Sequence, residues 1–208
     1  MLDRIPRRLH LGFTRSTVST RSPGDSDAIS IPPMQSDVDF VAYGLDCVLS
    51  GRTILDGDRL TDMLNEHDEY ALSDVLVERF DGGPPITVRE IVVPRDELWL
   101  VHATEPRGNT ERRHRTAQQH VAMRMGPYAV RGFYHALPGT DPASAISRRK
   151  PMVPLTRARI EYTMAGELRE VLVDAVIVNR DQVDWIKEVE PDRLEFPVGP
   201  KGIVAHRS

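Results

Sequence analysis

Most of residues 72–100 recurs as residues 155–185, which restricts the chain to folds that can be built from one small unit used twice. In the first copy Leu72-Ser73-Asp74-Val75-Leu76-Val77-Glu78 leads to Ile91-Val92-Val93-Pro94-Arg95-Asp96-Glu97-Leu98. In the second, Leu155-Thr156-Arg157-Ala158-Arg159-Ile160-Glu161 leads to Val176-Ile177-Val178-Asn179-Arg180-Asp181-Gln182-Val183. Each reads as a strand, a reversal, a second strand, a tight Arg-Asp turn and a short last strand.

A chain of 208 residues with 40% hydrophobic and 28% charged residues can bury a core. Units of about 60 residues bury only about 60% of their unfolded surface, so the two copies are expected to lean on each other or on a partner. The single cysteine, Cys47, excludes an intrachain disulfide and points to a reducing cytoplasm. No apolar run approaches the roughly 20 residues that span a bilayer. The net charge of −4 exerts no global pull toward nucleic acid or anionic lipid. Its distribution says more: residues 37–103 hold fifteen acids and five bases, residues 105–124 are basic, and residues 125–186 are close to neutral.

Taken in order, residues 1–36 are rich in Ser, Thr, Pro, Gly and Arg and read as a disordered arm. The period-two alternation Val41, Tyr43, Leu45, Cys47, Leu49 marks a strand with one buried face, interrupted by Gly51. The second copy repeats this through Val121, Met123 and Met125, then Gly126-Pro127, Tyr128 and Val130, with Gly132 matching Gly51. A glycine at the same place in both copies predicts a bend or bulge. Short helices follow at Gly57-Asp58-Arg59-Leu60-Thr61-Asp62-Met63-Leu64-Asn65 and at Pro138–Ser147, with Asp58 and Thr140 as expected caps and Pro142 suited to a first turn. Strands are then expected over 70–80, 86–93 and 98–101, and over 152–162, 168–178 and 183–186. The turns fall at Asp81-Gly82-Gly83-Pro84 and Ala165-Gly166. Residues 105–119 form a basic linker, and residues 188–208 an extended tail.

The helix motif Gly57–Asn65, together with Val178-Asn179-Arg180-Asp181-Gln182-Val183, resembles a bacterial domain of unknown function with a Gly-Arg-Leu-Ser-Asp-x-Leu-Asn-like helix and a Val-Asn-Arg-Asp-His-Ile-like turn. The likeness covers most of residues 39–186 as a divergent tandem duplication, and that family supplies no activity to carry over. The closing turn also resembles the last hairpin of Sm-like and SH3-like barrels, a fold-level analogy.

Candidate chemistry is sparse. Cys47 alternates with apolar neighbours, which favours an inert core thiol over a Cys-His site with His67. Asp56, Asp58 and Asp62 open like a calcium loop, but Thr61 and His67 stand where a glycine and an acid are required. The histidines show no zinc spacing, so no metal or cofactor is expected. Arg112, Arg113 and Arg115 could grip phosphates, though no aromatic series accompanies them. Aligning the copies through Gly57 and Gly139 sets Glu66-His67-Asp68 opposite Arg148-Arg149-Lys150, so equivalent loops carry opposite signs.

The expected fold is therefore mainly β with short helices (α+β): two tandem β-barrel-like repeats over 37–104 and 120–187, packed pseudo-symmetrically. The expected function is a non-enzymatic protein-interaction or self-assembly module acting through Glu66, His67, Asp68, Arg148, Arg149 and Lys150. Its partner is a second copy met head to tail, or another protein. The alternatives are an Sm-like nucleic-acid binder using Arg112, Arg113 and Arg115, and then a hydrolase using His67.

Overall fold

The computed structural model describes residues 36–55, 59–103 and 116–190. The fold is mainly β, with ten strands in one antiparallel sheet. The first five are β1 (Ser36–Tyr43), β2 (Cys47–Leu55), β3 (Glu69–Arg79), β4 (Ile86–Pro94) and β5 (Leu100–Ala103), with α1 (Leu60–Glu66) between β2 and β3. The second five are β6 (Ala117–Met125), β7 (Tyr128–Ala136), β8 (Met152–Met164), β9 (Glu167–Asn179) and β10 (Trp185–Glu188), with α2 (Pro142–Ser147) between β7 and β8. A 3₁₀ turn closes each half, at Arg95–Glu97 and at Arg180–Gln182.

The order across the sheet is β10-β6-β7-β8-β9-β5-β1-β2-β3-β4. Each half thus lays its last strand against its first, and β9 meets β5 in the middle. The match extends to register. Val93 pairs with Tyr70 as Val178 pairs with Val153, Leu100 with Tyr43 as Trp185 with Arg124, and Phe40 with Gly51 as Val121 with Gly132. The sheet is open rather than closed on itself: among the described residues β4 and β10 each have one neighbour.

The expected glycine bulges are present. Pairing of β2 with β3 slips between Ser50 and Arg52, and pairing of β7 with β8 slips between Arg131 and Phe133. At each slip the extra residue on the facing strand is left-handed, Asp74 at φ 51° and Arg157 at φ 47°, a conformation side chains resist unless neighbours hold it. Asp74 is held by an ion pair with Arg52; Arg157 lies over the Phe133 ring, 4.1 Å from its centroid. One backbone device is thus stabilised by a charge pair in one half and by a cation–π contact in the other.

Two cores result. One is built on Phe40, Leu49, Leu55, Leu64, Leu72 and Val93; the other on Met123, Tyr128, Val130, Leu155, Ile160 and Val176. Met63 and Leu64 are the buried side of α1, and Pro142 and Ile146 that of α2.

Several local expectations are corrected. The run from Val41 to Leu49 is two strands, because Gly44-Leu45-Asp46 is a turn and Leu45 stands 50% exposed. Asp141 rather than Thr140 caps α2, its carboxylate accepting from Ser144 N at 2.8 Å; α1 begins after Arg59 with no side-chain cap, and Asp58 lies outside the described residues. Residues 117–119 of the expected linker belong to β6. Trp185 occupies the register position of Leu100, and Trp99 lies one residue before it, its ring against Gly126. Ser36, the last residue of the expected arm, begins β1, and the rest of the arm, linker residues 105–115 and the tail beyond residue 190 lie outside the described residues.

A Cβ at Gly51 would sit 2.9 Å from the Ser73 carbonyl oxygen, whereas at Gly132 it would meet side-chain carbons at 3.2 Å. Gly51→Ala should therefore cost about 1–3 kcal/mol, and more than Gly132→Ala, in urea unfolding.

Candidate functional site

The internal junction is the part of the fold that could serve function, because it shows how one half recognises the other. Pairing is short, Leu100 with Val178 and Val101 with Ile177. Asn179 secures it. Its backbone N–H donates to Trp99 O at 2.9 Å, and its buried carboxamide donates to Leu98 O at 2.9 Å and Arg95 O at 3.3 Å. Gln182 adds a bond from Nε2 to Asp96 O at 3.0 Å. At the helix layer the Asn65 carboxamide grips the Met152 backbone from both sides, donating to its carbonyl at 2.9 Å and accepting from its N–H at 3.0 Å. Tyr128 Oη donates to Gly44 O at 2.5 Å, and Ala165 N to Phe80 O at 2.8 Å.

Apolar side chains cross the same line. Leu100 belongs to the second core, while Met152 and Ile177 belong to the first, so each half inserts residues into the other. Burial of a side chain of this size contributes about 1.5–3 kcal/mol, which makes these crossings the strongest contribution at the junction.

Among the described residues the outer edges repeat the junction's residues without its partner. In register, β4 is the counterpart of β9 and β10 of β5. Ile177 is 5% exposed but its counterpart Val92 is 55% exposed; Leu100 is fully buried but its counterpart Trp185 is 47% exposed. Pro94 occupies the place of Asn179 and has neither the N–H nor the carboxamide.

The loops singled out by charge lie between helix and third strand in each half. Asn65 immediately precedes Glu66-His67-Asp68, and Met152 follows Arg148-Arg149-Lys150 by two residues, so the Asn65–Met152 bonds bring the acidic and basic loops side by side within one chain. All six residues are exposed. Asp68 also pairs with Arg95 at 2.8 Å, and Arg149 Nε donates to Tyr134 Oη at 3.3 Å. Arg112, Arg113 and Arg115 lie outside the described residues.

Catalytic chemistry gains little from the geometry. Burial, with Asp46 adjacent, pushes the Cys47 thiol up to about 12, which leaves it protonated and unreactive at neutral pH. Burial also lowers His102 to about 4, and its Nε2 lies 3.2 Å from Tyr43 Oη. His102 lines an apolar cleft with Val38, Leu55, Leu60, Pro154 and Ile177, set along the internal junction. Among the described residues no three His, Cys, Asp or Glu side chains are grouped to hold a metal, and no helix is long and apolar enough to cross a membrane.

Comparison with family models, with curated proteins and with solved structures finds no match.

The outer sheet edges are a candidate surface that the sequence analysis did not single out. The signal was there in the replacement of Asn179 by Pro94 inside an otherwise matching turn.

Two outcomes follow from the junction. Asn179→Ala leaves the buried Leu98 carbonyl without its side-chain donor, while Arg95 O keeps the Leu98 N–H, and should cost about 1–3 kcal/mol, against under about 0.5 kcal/mol for Pro94→Ala, both read from chemical denaturation. A His102 held neutral below its unfolded value gives stability that is complete above pH 6.5 and lost as pH falls toward 4. Melting temperature should drop across that window, and His102→Gln should flatten the drop.

Proposed function

We propose that this protein is a non-enzymatic self-assembly module, one small open β unit used twice, whose copies associate head to tail so that a first half meets a second half at every contact. The observation that carries this reading is the internal junction, where halves of opposite loop charge already join through backbone bonds and exchanged core residues. The shared strand order, register and bulge support treating the halves as one unit. The charge pattern favours the same polarity. In a head-to-tail array, Glu66, His67 and Asp68 always neighbour Arg148, Arg149 and Lys150, whereas like-with-like contacts would set equal charges together. The nucleic-acid reading has no comparable support within the described sheet.

Light scattering at rising protein concentration tests this. At about 20 mM salt the mass should exceed the 23.4 kDa of one chain, and it should fall as salt shortens the Debye length to about 8 Å near physiological strength. Reversing Arg148, Arg149 and Lys150 to Glu should weaken association at low salt. A mass that stays monomeric under all these conditions removes the reading.

A further inference from the structure

The internal junction also specifies how two copies would meet, an inference that rests on the self-assembly reading and adds to it a surface, a register and an occupant. We infer that β10 of one copy adds to β4 of the next in the register of β5 on β9, pairing Trp185 with Val93 and Ile186 with Val92.

The register comes from the pairing already present in the chain. β5 lies against β1 as β10 lies against β6, residue for residue, and β4 lies against β3 as β9 lies against β8. Leu100 on Val178 therefore maps onto Trp185 on Val93, and Val101 on Ile177 onto Ile186 on Val92. The side chains fall where this contact needs them. Val93 is already in the first core and Ile186 already packs on the second, so Trp185 would extend the first core of the next copy and Val92 the second core of the preceding one. The internal junction buries both counterparts, Leu100 and Ile177, in this same crossed manner. Lys187 and Glu188 lie beyond the two paired positions, so the charges on β10 do not enter the contact.

A second copy fits this surface better than an unrelated strand. Edge pairing alone would accept many partners, but the loops narrow the choice. In the copied geometry the end of α2, followed by Arg148, Arg149 and Lys150, faces the start of β3 in the next copy, which is preceded by Glu66, His67 and Asp68. Acidic and basic loops would then adjoin at the outer contact as they do at the inner one.

The outer contact is also built to be weaker. Asn179 contributes three bonds across the internal junction, and Pro94 can contribute none of them. An association that lacks these bonds can form and dissociate while the internal junction stays intact.

Because the Asn179 N–H reaches Trp99 O, the adjacent pair Leu100–Val178 exchanges no hydrogen bonds, and such pairs stand about 4.5 Å apart at Cα. That spacing lies in the range a disulfide accepts. The full chain carrying Val93→Cys, mixed with the full chain carrying Trp185→Cys, should give a covalent dimer on mild oxidation, while either alone should give none through this contact. Val93→Cys mixed with Lys187→Cys, two residues out of register, should link at least tenfold more slowly. In a separate measurement, Pro94→Asn should tighten self-association at least tenfold by restoring the missing donors. Cross-linking absent, or equal in the out-of-register pair, while light scattering still shows association overturns this contact and leaves self-assembly standing. A wild-type protein that stays monomeric overturns both. Pro94→Asn with unchanged association overturns the copied geometry.

Discussion

Every strand carries a row of N–H and C=O groups on each side, and the fold depends on where the outermost rows find partners. Within this chain one half cannot satisfy both of its edges, because its five strands form an open ribbon. Joining two halves through β5 and β9 removes one pair of edges and, among the described residues, leaves β4 and β10, one of each kind. The chain therefore ends with the same complementary surfaces that it began with. Two halves of like strand order that pair edge to edge give this outcome whatever their sequences, provided that the register is kept. Here the register is kept through the bulges at Gly51 and Gly132.

The proposed outer junction would differ from the inner one in what holds it. At the inner one the halves are covalently linked, so pairing is intramolecular and its entropic cost is small. It also has Asn179, Asn65 and the exchanged Leu100 and Ile177. An outer junction must offset the loss of translational and rotational freedom with fewer bonds. Pro94 cannot supply the bonds of Asn179, and in the proposed contact Val92 and Trp185 would supply apolar area instead. The halves differ at the places on which this distinction turns. Their inward faces keep matching apolar residues, while the turn before the last strand and the helix-following loops differ in hydrogen-bonding capacity and in sign.

Much of the strand pattern was legible because it follows from local alternation and turn chemistry. The strands over 70–80 and 152–162, the turn at Ala165-Gly166 and the paired glycines follow from residues near one another in sequence. Leu45 misled because it continues a period-two run while Gly44 and Asp46 on either side of it make the turn. Barrel closure was expected from the paired glycine bends and from an analogy, and the open sheet reflects a pairing that no local pattern encodes. Leu100 and Val178 are brought together by the copies' mutual fit, not by a hairpin. The loop charges were visible, but their adjacency was not, since it depends on Asn65 reaching Met152 across the junction. Asp141 displaced Thr140 as cap because it stands immediately before the Pro142 first turn, with its carboxylate on Ser144 N.

The most direct measurement is backbone hydrogen exchange, resolved along the chain, at protein concentrations below and above the onset of association. Edge-to-edge pairing predicts slowed exchange confined to β4 and β10 on association, with the amides of β5 and β9 protected at every concentration. Slowing in mid-sheet or helical segments, with β4 and β10 unchanged, would contradict it.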